Sequence, residues 1–206
     1  MFPLGTVLFP HMVLPLHIFE PRYRALIHDV LEGDREFGVT LISRGHEVGG
    51  GDLRTDIGTV AQVLQAEELD DGRWLAIGVG THRFRVERWL PDAPYPIAEV
   101  VDLPDDHDAD AVLTRWERIV PRLRRVLAMQ AELGEDGVPS TFELAEDPEV
   151  ACWQAAVIAP LNPFDAQQVL ATDSCSDRLE LMEELLVGLT ETFEFRISDE
   201  GGTGSS

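Results

Sequence analysis

Apolar residues crowd the opening stretch of the chain, but Pro3, Pro10 and Pro15 break them into pieces. Proline lacks the ladder N–H and fixes φ, so neither one long buried helix nor one unbroken central strand fits. The pattern predicts a short strand over residues 6–9, a bend, and a second extended piece over residues 13–18. At Glu20-Pro21 the period changes. Tyr23, Leu26, Ile27, Val30 and Leu31 recur at helical spacing, Pro21 suits a first turn, and Gly33 supplies a stop. Residues 36–43 are rich in β-branched and aromatic side chains, and residues 58–67 and 74–79 flank an Asp71-Gly72 hairpin signal. In residues 82–88, Phe84 and Val86 alternate with Arg83, Arg85 and Glu87, and residues 97–103 read as one more strand. Short strands around a single helix imply a small, partly closed β-barrel or folded sheet. Helical patterns do not alternate with these strands, which argues against a doubly wound α/β sheet.

Past an acidic run at residues 104–110 the period becomes helical. Trp116, Ile119, Val120, Leu123, Val126 and Leu127 share one face, with Pro121 inside the same helix. Asp147-Pro148-Glu149 and Asn162-Pro163-Phe164-Asp165 each set a capping side chain before a proline, opening two further helices. Ser174 or Ser176 caps the last, whose stripe is Leu179, Met182, Leu185, Leu186 and Leu189. The second half is therefore expected to be a bundle of about four helices. The polar, glycine-rich end is expected to be disordered. The predicted division is a β domain over 1–107, a helical domain over 108–197 and a tail over 198–206.

Charge narrows the function classes. The chain of 206 residues carries a formal charge of −22, and its 16 basic residues are all arginine. Both halves share the acidity, and a field of this sign repels phosphate backbones and anionic membranes at a distance. Only Cys152 and Cys175 are present, with no CxxC, which suits a reducing cytoplasm better than a disulfide scaffold. No apolar run is long enough for a membrane-spanning helix. The start lacks the basic region and small-residue cleavage site of a signal peptide, so it reads as mature protein. The missing lysine also removes nucleotide chemistry of the P-loop kind. That loop needs Gly-Lys-Ser/Thr, and here Gly49-Gly50-Gly51 is followed by Asp52.

Phe2-Pro3-Leu4, Leu8-Phe9-Pro10 and the run from Leu14 through Ile18, Glu20 and Pro21 to Tyr23 resemble a known family. It is the N-terminal, substrate-binding domain of the Lon proteases, in a free-standing form without the ATPase and peptidase domains. The resemblance continues at Phe37-Gly38-Val39, Ile57-Gly58-Thr59-Val60-Ala61, Asp71-Gly72-Arg73 and Gly80-Thr81-His82-Arg83-Phe84. It returns weakly at Asp165-Ala166-Gln167-Gln168 and Asp177-Arg178-Leu179, and spans residues 1–192. It implies an α+β protein, with a PUA-like β pseudo-barrel holding one helix, followed by a C-terminal helical bundle. It also implies contact with unfolded or damaged polypeptide, and help in assembling a hexamer. His11 stands where family members often carry glycine, at a bend where the backbone gains from a left-handed turn. Lon proteolysis resembles Ser–Lys dyad chemistry, which a chain without lysine cannot build.

The function expected is a non-catalytic, cytoplasmic polypeptide-binding or adaptor module with no cofactor. Its partners would be unfolded or exposed polypeptide segments and a protease or chaperone. An RNA- or ribosome-associated PUA-like binding protein, using Arg22, Arg24, Arg83 and Arg85, is the alternative; a small-ligand-binding protein with unrecognised enzymatic activity is another. No catalytic or metal-ligating residue is assigned. The histidines occupy different elements without paired ligand spacing. Glu20 reads as a helix cap or a partner of Arg24 rather than half of an acid–base pair with His17. Cys152 reads as a small buried hydrophobe. The candidate peptide contacts are Phe9, Met12 and Val13, which line an exposed bend or else plug the end of the barrel. Trp89 and Tyr95, in a second proline-rich loop, carry the same two readings. Arg115, Arg118, Arg122 and Arg125 fall on one helix face. They should find carboxylates at an interdomain or subunit contact, or else form a solvated face.

Overall fold

The computed structural model describes residues 1–44, 53–104 and 109–203, the side chains of 109–114 and 200–203 excepted. Gly49, Gly50 and Gly51, the acidic run at 105–108 and residues 204–206 lie outside the described residues. The chain divides into two units, Met1–Pro104 and Asp105–Ser206.

The first unit contains β1 (Phe2–Leu4), β2 (Val13–Ile18), α1 (Pro21–Glu32), β3 (Glu36–Arg44), β4 (Leu53–Glu68), β5 (Trp74–Leu90) and β6 (Ile97–Leu103). The strands form one mixed sheet ordered β1-β3-β4-β5-β2, with β6 also on β5. Among the described strands only the β1–β3 pair is parallel. β5 is long enough to take β2 along residues 74–79 and β6 along residues 83–90. α1 buries Tyr23, Leu26, Ile27 and Val30 against Phe2, Leu14, Ile18, Phe37 and Val39. Phe2 stacks on Tyr23 with ring centroids 4.2 Å apart. Each such fully buried side chain contributes about 1.5–3 kcal/mol of apolar transfer.

Three local differences from the sequence pattern have physical causes. The short first strand is Phe2–Leu4, not residues 6–9. Residues 7–10 are buried without joining a ladder, and the Thr59 hydroxyl satisfies the Leu8 carbonyl at 2.6 Å. The two strands predicted over 74–79 and 82–88 are one strand. Gly80, which reads as punctuation, instead admits a close backbone: a Cβ there would lie 2.2 Å from the Phe9 carbonyl oxygen. Glu20 neither caps α1 with its side chain nor pairs with Arg24. Its carboxylate meets Arg22 at 3.1 Å, while its carbonyl accepts from the N–H groups of Tyr23 and Arg24.

The hairpin and the bend follow the pattern. Gly72 has φ of 77° in the turn closed by Leu69 and Arg73. His11 takes φ of 62°, the left-handed conformation that glycine would adopt more cheaply, and its N–H donates to the Gly80 carbonyl at 2.8 Å.

The second unit is helical: α2 (Ala109–Glu132), α3 (Pro148–Ile158), α4 (Pro163–Ala171) and α5 (Cys175–Thr203). Asp147 caps α3 and Asn162 caps α4, each accepting two backbone N–H groups ahead of a proline. The Ser174 hydroxyl accepts from the Asp177 N–H at the start of α5. Ile119, Leu123, Trp153, Leu179, Met182 and Leu186 are fully buried. Arg178 is buried with them. Its guanidinium lies 3.6 Å from the Trp153 ring centroid and donates to the carbonyls of Val169 and Thr172 at the end of α4. α5 continues as helix through residues 198–203, a stretch the composition predicts to be disordered.

Candidate polypeptide-binding surface

β2 organises the surface, because it is an edge strand. The Gly80 N–H donates to the Met12 carbonyl at 2.9 Å. Antiparallel alternation then assigns Leu14, Leu16 and Ile18 to β5 and leaves Val13, Pro15 and His17 with backbone groups on the free edge. Pro15 has no N–H, so that edge offers donors only at Val13 and His17. Strand addition is blunted, and apolar contact is the larger resource.

Residues paired across strands share a face of the sheet. Val79 faces outward beside Val13; Ile77 lies between Pro15 and Gln65; Leu75 lies between His17 and Glu67. On the inner face the alternating β5 positions are the small Ala76 and Gly78. In this stretch of β5 the larger side chains Leu75 and Ile77 therefore face solvent, at 45% and 41% exposure. Val13 is 57% exposed, and Leu64, at the β-bulge between Val63 and Gln65, is 54% exposed. An open hollow of about 670 Å³ lies here, lined by Pro15, Leu16, Gln65, Glu67, Leu75 and Ile77. A smaller cleft of about 230 Å³ is lined by residues of β1 and β2 with Phe19 and Tyr23, and it shares Pro15 and Leu16 with the first. The two depressions flank one strand.

The predicted contact residues do not gather on this surface. Phe9 is 4% exposed, Met12 packs against the core, and Val13 alone of the three stands at the surface. Trp89 lies under the Arg54 guanidinium at 4.9 Å. Tyr95 packs on the core, and its hydroxyl donates to Asp29 at 2.6 Å. That hydrogen bond, with burial and the Asp29 charge, pushes the hydroxyl up to about 12. Leu64, Leu75 and Ile77 went unassigned in the sequence, although alternation of Ala76 and Gly78 with large neighbours carries the signal.

A family model described as the ATP-dependent protease La (LON) substrate-binding domain matches residues 1–188. The chain belongs to that family. It is 30% identical over 189 residues to Lon protease 2 of Myxococcus xanthus, covering 88% of this chain and 22% of that protein. With Lon protease 2 of Herpetosiphon aurantiacus it shares 25% identity over 186 residues, covering 89% of this chain and 23% of the other. The chain thus spans less than a quarter of the length of these curated relatives. Among solved structures, a Lon N-terminal domain protein from Xanthomonas campestris superposes with a TM-score of 0.60 at 26% identity, covering 90% of this chain and 95% of that one. The N-terminal domain of a Mycobacterium avium complex Lon protease shares the fold, with a TM-score of 0.60 at 18% identity, covering 92% and 96%.

In this Lon substrate-binding domain most of the arginines singled out in the sequence already have partners. In the helical unit Arg115 meets Glu180 at 2.8 Å, Arg118 and Arg122 meet Glu183 at 3.7 and 3.5 Å, and Arg125 meets Glu194. The stripe finds its carboxylates on α5 of the same unit. Of the arginines considered for RNA, Arg83 is 2% exposed, Arg22 lies between Glu20 and the Tyr23 ring, and Arg24 packs against Gly72. Arg85 is the one of the four that stands exposed.

One row of side chains imitates a nucleophilic site. The Thr81 hydroxyl is 3.0 Å from His82 Nδ1, and His82 Nε2 is 3.3 Å from Asp102. The Thr81 hydroxyl also lies 3.1 Å from the Val60 carbonyl, which can only accept; while its single proton makes that bond, the imidazole does not receive it. Among the described residues, no group of three or more His, Cys, Asp or Glu is placed to hold a metal ion, and no helix is long and apolar enough to cross a membrane.

Proposed function

We propose that this domain is a non-catalytic, cytoplasmic polypeptide-binding or adaptor module. It captures exposed apolar segments of unfolded chains on the outer face of β2, β5 and β4, and presents them to a protease or chaperone partner. The observation that carries the reading is the set of exposed side chains Val13, Leu64, Leu75 and Ile77 around an open hollow. Apolar side chains left this exposed on adjoining strands mark an interaction surface. Covering one of them contributes about 1 kcal/mol. The set supports weak capture that tolerates many sequences, as a holder of unfolded chain requires. Burial of Arg83 and the Glu20 partner of Arg22 leave Arg85 as the exposed cation of that set, which disfavours the RNA reading.

The test is titration of a reduced, unfolded model protein against the wild-type domain and an Ile77→Asp variant, followed by fluorescence anisotropy. The variant should retain its fold, because Ile77 faces solvent, and bind about tenfold more weakly. Wild-type affinity in a folded Ile77→Asp variant overturns the reading. Met12→Asp serves as the comparison: Met12 packs on the core, so its main effect should be on stability.

A further inference from the structure

The apolar surface has a one-sided electrical border. Glu67 sits on the same face as Leu75 and directly beside it across the β4–β5 pair. Glu68, paired with Trp74, takes the opposite face of the sheet, and Asp70 stands in the turn that joins the strands. All three are exposed, and none forms an ion pair among the described residues. The cations of this hairpin are placed elsewhere. Arg73 holds Asp71 at 2.7 Å, and Arg24 packs against Gly72. Hydrogen bonds and charge from Arg73 keep the Asp71 carboxyl below the usual carboxylate range, so that pair is satisfied. The rest of the chain reinforces the sign, with 38 acidic residues against 16 arginines.

We propose that the surface selects extended segments in which apolar side chains alternate with basic ones, the apolar set covering Leu75 and Ile77 and the basic set meeting Glu67 and Asp70. This rests on the capture reading above and names the chemistry of the client. The geometry explains why alternation matters. An extended chain repeats each side of its backbone about every 7 Å. Residues on one side can follow the β5 column of Leu75 and Ile77, while those on the other reach toward Glu67 on β4 and Asp70 in the turn beyond it. Acidic segments are rejected on the same surface, since a carboxylate beside Glu67 meets like charge in a partly desolvated site. Selection against acidic segments also keeps such a domain from capturing its own acidic chain.

The experiment uses the full chain and three labelled peptides with identical apolar positions, the intervening positions being all Arg, all Gln or all Glu. The Arg peptide should bind about tenfold more tightly than the Gln peptide, and the Glu peptide more weakly than either. Raising salt from about 0.1 M to about 1 M, which cuts the screening length from roughly 10 to 3 Å, should collapse that ranking and leave Gln binding in place. The double variant Glu67→Lys, Asp70→Lys should lose the preference for Arg while binding the Gln peptide as before. Glu117→Lys, Glu184→Lys changes net charge equally in the helical unit and should keep most of the preference.

Equal binding of the Arg and Gln peptides overturns the charge selection and leaves the capture reading standing. A preference that survives in the hairpin variant, or is lost equally in the helical one, overturns its placement at β4–β5. Failure of all three peptides to bind overturns both.

Discussion

Carboxylates behave differently in the two units. Along α2 and α5, Glu180, Glu183 and Glu194 each meet an arginine of the opposite helix, and the interface closes on itself. At the β4–β5 hairpin, Glu67 and Asp70 stand exposed with no such partner among the described residues, beside a row of exposed Leu and Ile. Exposed ion pairs contribute little stability individually, about 0.2–1 kcal/mol, but they fix register and discourage other partners. Where α2 meets α5, charges and apolar stripes are matched across the pair and leave little to offer, although Phe164 and Phe195 stand exposed elsewhere in that unit. The outer face of β5 and β4 keeps both unmatched and retains the means to bind. The contrast separates the part that holds itself together from the part equipped to hold something else.

The largest effect that would break this contrast is at Arg178. It is a cation buried inside the helical unit, stacked on Trp153 and bonded to the carbonyls that end α4. Arg178→Met keeps the volume but leaves the Val169 and Thr172 carbonyls without that donor. The helical unit should lose about 3 kcal/mol, read by urea unfolding, while affinity for an unfolded client at the β surface stays unchanged. Loss of client binding in a folded variant would show that the helical unit takes part in capture.

The next effect compares the two faces of β5. Ala76 faces a filled core, and Ala76→Leu should cost about 1–3 kcal/mol through overpacking. Leu75→Gln, one position away on the open face, should stay within about 0.5 kcal/mol of wild type while weakening client binding. If the two substitutions cost the same stability, the outer face is not free.

Much of this arrangement was legible in the sequence. Prolines at the starts of α1, α3 and α4, the Asp71-Gly72 turn and the change of period after residue 104 locate most elements. β1 was misplaced because a proline-bearing triplet joins β3 while the apolar stretch after it is buried as irregular chain. The site was harder to read. Large apolar residues in a half-buried strand ordinarily face inward, but on β5 the inner positions are Ala76 and Gly78, so Leu75 and Ile77 turn out. The bend holding Phe9 and Met12 looked open by composition, yet a tight chain crossing at Gly80 seals it. Face assignment depends on which strand approaches which, and that information is not local.

A smaller prediction tests the matched side. Glu183 serves both Arg118 and Arg122 across α2 and α5. Glu183→Gln should lower stability of the helical unit by about 0.5–1 kcal/mol, and the loss should shrink in high salt. A loss above about 2 kcal/mol would mean the pairs are structural supports rather than register marks.

The smallest expected effect concerns Tyr95, whose hydroxyl bonds Asp29 on α1 and titrates at about 12 instead of its ordinary 10. The native fold favours the protonated phenol, because ionisation would set two negative oxygens 2.6 Å apart. Stability from this bond is therefore fully present below pH 10, the unfolded value, and is lost as pH rises through about 12. The hydroxyl is near the surface, so solvent screening holds the contribution to about 1 kcal/mol or less. Tyr95→Phe should remove that share of the alkaline slope between pH 10 and 12 and leave client binding at neutral pH intact. A Tyr95→Phe variant that keeps its stability but loses affinity would return Tyr95 to the binding surface, and would shift the unmatched region from the outer face of β5 toward the proline-rich loop.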